Sequence, residues 1–332
     1  MDGTSFDLIT VASTFIGGLF VDPFIAFYDR PDKLIQIVSQ GLSAGVMYSL
    51  VALGFVVIFK ASGVFNFAQG IMVVFAGLTV VSLIEIGVPA IAAVLLAIVV
   101  MGAMAFAIER MVLRPLVNQP GIILFMATIG LAFFLEGFGQ TIFGADPKPV
   151  PIDALAIPDG KFKILGDVFR KPVRIYQLDL TALIAGGLMV AGIIVFLNRT
   201  KIGRALRAVA DDNQAALSVG IPLPFIWVVV WTLSGLVAIF AGVMWGAQSQ
   251  AGFSLAVIAL KALPVLILGG FTSVPGAILG GMIIGVTEKL AEFYWRGVLG
   301  DGVEQWIGYV IALIILLFRP QGLFGEKIIE RV

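Results

Sequence analysis

The chain has 332 residues, 60% of them hydrophobic and 13% charged, with a mean hydropathy of +1.07. Soluble domains carry about 25% charged residues, so this chain has too few polar groups to clothe an aqueous surface, and the bilayer is its natural solvent. Lys and Arg balance Asp and Glu at 21 each, which leaves no electrostatic footprint for nucleic acid; there is no Cys for disulfide or thiol chemistry, and no His, the commonest general base and transition-metal ligand.

Residues 8–28 form an apolar stretch broken by Gly17, Gly18, Asp22 and Pro23. Asp2 and Asp7 stand where a secretory signal would have a basic start. Residues 1–30 therefore read as an N-terminal extension, an interfacial or extra transmembrane helix. A spanning helix needs about 20 mostly apolar residues. Charge-free runs of that order occupy 34–59, 61–84, 90–108, 115–135 and 180–198. The run 213–260 holds a helix and a connection, leaving the membrane near Gln248-Ser249-Gln250-Ala251-Gly252. Gly269, Gly270, Pro275 and Gly276 split 262–287 into two helices, and a last apolar helix covers 303–318. The total is nine core segments within a range of eight to ten, the breaks near Asn66 and Gly270 being turns or re-entrant points. Uniform apolar runs contradict the alternation of a barrel strand and require helix, whose backbone satisfies itself in lipid. The expected fold is an all-α polytopic transmembrane bundle over 31–325, with a tail at 326–332.

Basic residues in short loops set the orientation. Arg110 and Arg114, the island Arg199, Lys201, Arg204 and Arg207, and the tail residues Arg319, Lys327 and Arg331 all follow odd-numbered segments. They share one side, the cytoplasm. The loop 144–177 then lies outside, its lysines and arginines partly offset by Asp146, Asp153, Asp159 and Asp167.

Nothing arranges residues for catalysis. No Lys is preceded by Gly and followed by Ser or Thr, so a nucleotide-binding phosphate loop is missing, and a Ser-His-Asp set is impossible. Transport is the better class, and no cofactor or metal is called for. The island at 199–221 reads as one amphipathic helix along the membrane surface. Leu206, Val209, Ala216, Leu217 and Gly220 make its apolar face; Arg204, Arg207 and Asp211 lie on another, with Arg207 and Asp211 spaced for an ion pair. Asn66 and Gln69 are polar groups at the head of an apolar helix beside Gly63 and Gly70, suited either to a helix cap or to a solute pathway at a broken helix. Glu136 and Gln140, one turn apart, are further pathway candidates. Lys261 and Glu288 read as side chains snorkelling to an interface. Gly276, Gly280, Gly281 and Gly285 give small-residue spacing for close helix contact, within the chain or between two permeases.

Several of these stretches resemble signatures of the branched-chain amino acid permease family of ATP-binding-cassette importers, the H-type subunit more than the M-type. Gln214-Ala215-Ala216-Leu217-Ser218-Val219-Gly220 is similar to the Glu-Ala-Ala-x-x-x-Gly loop that docks such permeases onto their ATPases, with Gln in place of Glu. Asn66-Phe67-Ala68-Gln69-Gly70 resembles the family's Asn-Phe-Ala-His-Gly, with Gln69 where His is usual. Glu109-Arg110 with Arg114-Pro115-Leu116, the stretch Leu268-Gly269-Gly270-Phe271-Thr272-Ser273-Val274-Pro275-Gly276-Ala277 and the closing Arg319-Pro320-Gln321-Gly322-Leu323-Phe324-Gly325 match further signatures in order. The resemblance spans roughly 34–325. It implies an inner-membrane permease subunit without ATPase activity of its own, partnered by a homologous permease, two cytoplasmic ATPases and a substrate-binding protein. Branched-chain amino acids are the implied solute, with urea, amides and small carboxylates as alternatives within the family. A self-sufficient secondary transporter or channel is the reading from another class.

Overall fold

A computed structural model of the chain describes residues 17–63, 65–116, 119–164, 172–211 and 213–325. Its helices follow the apolar runs. A short α1 (Asp22–Asp29) precedes α2 (Pro31–Ser62), α3 (Gln69–Glu85), α4 (Ala90–Ile108) and α5 (Gly121–Phe143). A loop then carries an antiparallel ribbon of β1 (Lys161–Ile164) and β2 (Val173–Tyr176). It leads into α6 (Gln177–Arg199), α7 (Lys201–Asp211), α8 (Asn213–Ser218) and α9 (Leu223–Ser249). The chain closes with α10 (Ile258–Gly269), α11 (Val274–Leu299) and α12 (Val303–Phe318). Among the described residues six helices are long and apolar enough to cross a membrane: α2, α4 with its continuation to Leu116, α5, α6, α9 and α11. The expected polytopic helical bundle is what forms.

A helix that is apolar all round is buried all round. Every residue of α3 from Gln69 to Val81 is buried, as is every residue of α2 from Ser43 to Ile58. The rim is built from α4, α5, α6 and α12, which expose Ile91, Val99, Phe133, Leu188 and Leu317 to the surroundings. Enclosure of its start explains why α3 needs only 17 residues: Gln69 begins inside protein, while the Glu85 end is exposed. Its start lies inside the bundle. The Gln69 amide lies against Gly54, two turns before the end of α2 at Ser62, so α3 begins about 12 Å along α2 from that end at 1.5 Å per residue. Gly70 packs in turn on the Ala256 carbonyl and the Ala259 methyl, where the 3-10 turn Phe253–Val257 hands over to α10. Two broken helices therefore meet at depth, end to end with extended segments.

The most extensive helix contact in the bundle joins α2 to α11. A Cβ added at Gly45 would come 2.8 Å from the Gly281 carbonyl oxygen, and one at Gly285 only 2.5 Å from that of Gly41. The Ser49 hydroxyl, within 2.7 Å of the Gly45 carbonyl and 3.0 Å of the Ile278 carbonyl, bridges the two helices. On the other face of α11, Gly276 and Gly280 lie against Gly269 and the Val265 carbonyl of α10. The small-residue spacing of α11 is packing inside this chain. The closing stretch 319–325 continues the arrangement, Leu323 N and Phe324 N donating to the Leu268 and Gly269 carbonyls at 2.8 and 3.2 Å. At the opposite end Lys148 pairs its backbone with Ala251 and its ammonium with Glu85 at 2.5 Å, clipping the long loop to α3 and to the entry of α10.

The charged island departs from expectation. Among the described residues it is helical over Lys201–Asp211 (α7) and Asn213–Ser218 (α8). Leu206, Val209 and Ala216 are buried, but Leu217 is 50% exposed. Arg207 does not pair with Asp211 among the described residues; it turns toward α6 and donates to Asn198 Oδ1 at 2.9 Å. Gly220, at φ 85°, ends α8 with its N–H on the Leu217 carbonyl and that of Ile221 on the Ala216 carbonyl, a left-handed cap that favours glycine. Of the N-terminal extension, residues 1–16 lie outside the described residues. The short α1 buries only Pro23, and the indole N–H of Trp295 donates to the Leu19 carbonyl beside it at 2.9 Å. Residues 326–332 and the side chain of Gln214 also lie outside the described residues.

The α2–α11 contact predicts a contrast between two glycines on one helix. Gly285→Leu forces apart backbones already touching, an overpacking cost of about 1–3 kcal/mol or more. Gly297, with open space around it, accepts the same residue freely. Thermal unfolding of the purified protein checks this: a clearly lower midpoint is expected for Gly285→Leu and none for Gly297→Leu.

Candidate functional site

Four charged side chains, Lys261, Glu288, Lys289 and Glu304, converge where α2, α10, α11 and α12 meet. The α2–α11 contact brings Tyr48 beside Glu288, and the phenol donates to Glu288 Oε2 at 2.9 Å. Lys261, one turn into α10, places its ammonium 3.4 Å from the same oxygen, 3.2 Å from the Glu304 carbonyl and 5.8 Å from the centre of the Tyr48 ring. Glu288 is 2% exposed. Gly308 of α12 makes room for its other oxygen, which a Cβ there would approach to 3.1 Å. Lys289, the next residue, pairs with the Glu304 carboxylate at 2.6 Å. Lys261 and Glu288 therefore do not snorkel. A buried carboxylate is tolerated because a phenol and an ammonium share it.

This network forms the floor of a cavity of about 300 Å³, at the low end of the range for small-molecule sites. Gln40 and Tyr48 line it from α2, Asp179 from the first turn of α6, Trp245 and Gln248 from the last turns of α9, and Lys261, Lys289 and Glu304 from the closing helices. One wall is apolar: Tyr48 and Trp245 stack at 5.4 Å, with Ala44 and Ile258 nearby. Two groups lack ordinary partners. The Trp245 indole N–H is buried without a hydrogen bond among the described residues. Asp179 takes part in no ion pair there and meets only the Gln248 amide, at 3.5 Å. With Lys261 joined to Glu288 and Lys289 to Glu304, two lysines face three carboxylates, and the surplus negative charge is Asp179. From the last turn of α11, Arg296 donates to Asp301 in the α11–α12 turn and holds that carboxyl below the usual carboxylate range.

Residues 37–319 match the family model described as branched-chain amino acid transport system / permease component. The chain belongs to this family. The high-affinity branched-chain amino acid transport system permease protein BraD of Pseudomonas aeruginosa is 29% identical over 311 residues, spanning 90% of this chain and 98% of its own. LivH of Escherichia coli K12 is 25% identical over 312 residues, covering 90% of this chain and 97% of its own. A probable LivH of Methanocaldococcus jannaschii is 27% identical over 295 residues, covering 86% and 91%. The permease is thus a multi-pass membrane protein of a transport system.

The residues singled out in sequence fall into distinct places. Asn66 is buried, its Oδ1 accepting from Ala68 N at 3.0 Å in an Asx turn that leads into α3; the N-cap itself is Ala68, with no side-chain cap bond. Gln69 is also buried: its Oε1 accepts from the Ser234 hydroxyl at 2.5 Å, while its amide nitrogen fills the notch left by Gly54 without a partner. Gly70 and Glu136 share a second cavity of about 350 Å³ with Phe55, Phe65, Phe67 and Leu263, and Gln140 is exposed one turn beyond. On the island Arg204, Asp211, Ala215 and Gly220 are exposed, Ala216 is buried and Arg207 is half-buried. The charged cavity was missed in sequence because its members lie on six helices. Its signal was present all the same: Lys261 and Glu288 are opposite charges in otherwise uncharged runs.

A double-mutant cycle measures the pair. Glu288→Leu leaves the Lys261 ammonium without its carboxylate and Lys261→Met does the converse, while the double variant removes both. Because Lys261 is partly exposed, each single change is expected to cost less than the 3–5 kcal/mol of a fully buried pair, and the double variant less than the sum of the two. Unfolding midpoints of the four proteins give the coupling directly.

Proposed function

We propose that this chain is the permease subunit of an ATP-driven importer for branched-chain amino acids, set in the bacterial plasma membrane. The observation that carries the solute class is the surplus carboxylate in the charged cavity. A zwitterion supplies an ammonium for Asp179, a carboxylate for the lysines, and an aliphatic side chain for the Tyr48–Trp245 wall. Urea and amides need no buried charges, whose burial is costly. Small carboxylates would be repelled by Asp179. The names of BraD and LivH agree with this reading.

The partners follow from the same proposal: a homologous permease, two cytoplasmic ATPases and a substrate-binding protein outside. The end carrying α7 and α8 is the proposed cytoplasmic face, and the 199–221 segment the ATPase-coupling element. Leu217 and Val219, 50% and 75% exposed beside the exposed Arg204, offer apolar contact ringed by charge. Arg204, Asp211, Gln214, Ala215 and Gly220 belong to that surface, with Ala216 anchoring it from below. Gly70 and Glu136 stay as pathway candidates on the second cavity, whereas Asn66 and Gln69 support it by shaping the start of α3. The loop at 144–177 is assigned to the outside.

Uptake of leucine into proteoliposomes tests the proposal. Transport is expected only when the ATPases and ATP are present, and transport by this chain alone would overturn it. Asp179→Asn, which keeps the size and removes the charge, is expected to lower uptake about ten- to a hundredfold, the worth of one charge-assisted hydrogen bond.

A further inference from the structure

A second polar cavity, of about 350 Å³, lies behind α7 at the end of the bundle assigned to the cytoplasm. Lys60 from the last turn of α2 and Arg207 from α7 both line it, with Asn198, Thr272 and Ser273. No carboxylate does. Arg207 spends one guanidinium nitrogen on Asn198 Oδ1 at 2.9 Å and takes part in no ion pair among the described residues. Lys60 is half-buried and has no hydrogen bond or ion pair there at all. Two like charges facing one partly enclosed space repel each other and lose hydration, and neither cost is met by the protein. The site is complete only with an anion in it.

The remaining walls describe the anion's shape. Thr272 and Ser273 line it at the start of α11, where Ser273 Oγ accepts from Gly276 N at 3.1 Å, while Ile194, Leu197 and Ile278 carry the cavity along the apolar flanks of α6 and α11. A polar head on two cations and an apolar continuation between spanning helices is the form of a phospholipid. Basic pockets between helices on the cytoplasmic side bind anionic headgroups by this chemistry.

We propose that this cavity binds a phosphate-bearing anion between Lys60 and Arg207, supplied either by the headgroup of an anionic phospholipid or by free phosphate. Bound there, the anion ties α7 to α2 and to the start of α11, bracing from behind the segment whose outer surface faces the aqueous side. Arg207 accordingly works behind α7 and not on its exposed face.

Native mass spectrometry of the purified full-length chain, titrated with phosphatidylglycerol or phosphatidylcholine, tests this. Phosphatidylglycerol is expected to bind in preference to phosphatidylcholine. Each of Lys60→Gln and Arg207→Gln should weaken it about fivefold, and the pair about thirtyfold, from roughly one charge contact apiece. Arg319→Gln, at the same end but off the cavity, should leave it unchanged, and Lys60→Arg should retain it if the loss is electrostatic and not a folding defect. Competition by inorganic phosphate that is abolished in the double variant assigns the site to free phosphate; preference for the lipid without such competition assigns it to the headgroup. Equal binding of both lipids, or phosphatidylglycerol and phosphate binding unchanged in the double variant, overturns the proposal.

Discussion

The backbone contact between α2 and α11 is the constraint on which the rest of the structure depends. Gly41 and Gly45 against Gly281 and Gly285 allow the two helices to approach without side chains between them. In a membrane such contact gains packing where apolar side chains alone gain little over lipid. The approach has a chemical consequence one to two turns away: it sets Tyr48 within hydrogen-bonding distance of Glu288. A wider spacing would leave a buried carboxylate without its phenol, and the cavity floor without its geometry.

From that floor the charges are distributed unevenly, and the proposed solute selectivity rests on that unevenness. Lysines 261 and 289 are engaged by Glu288 and Glu304, so they shape the site more than they charge it. Asp179, at the start of α6, is the member left over. The broken helices α3 and α10 matter here because α10 begins at depth: a continuous span in its place would carry Lys261 to a different level in the bundle. Pro264, inside α10 and beside Gly308, belongs to the same short, closely packed helix.

The fold was largely legible in the chain because a bilayer imposes helix on every long apolar run. Breaks at Asn66 and Gly270 were marked by glycine and a polar residue. The signatures that carried the family resemblance are mostly structural devices: Gly220 is a left-handed helix cap, Gly70 and Gly276 are points of close approach, and Gly270 and Gly322 sit at positive φ where the closing stretch docks on α10. Gln69, at the position where the family usually carries His, is held in the core by Ser234 and Gly54. The charged cavity was not legible, since no local pattern relates Tyr48, Asp179, Trp245, Lys261 and Glu304. Lone charges in apolar runs look alike whether they reach an interface or a partner, and only the packing of α11 distinguishes the two. The island misled at Leu217: next to the buried Ala216, it lies about 100° away around the helix at 3.6 residues per turn, and it is exposed.

Direct observation of the solute in the assembled transporter tests the central claim most directly. A cryo-electron-microscopy structure of the permease pair with its ATPases and binding protein, determined with L-leucine present, should show the amino acid in the charged cavity. Its ammonium is predicted at Asp179 and its side chain against Tyr48 and Trp245. Leucine density confined to a seam between the two permeases, with this cavity holding none, would contradict the account.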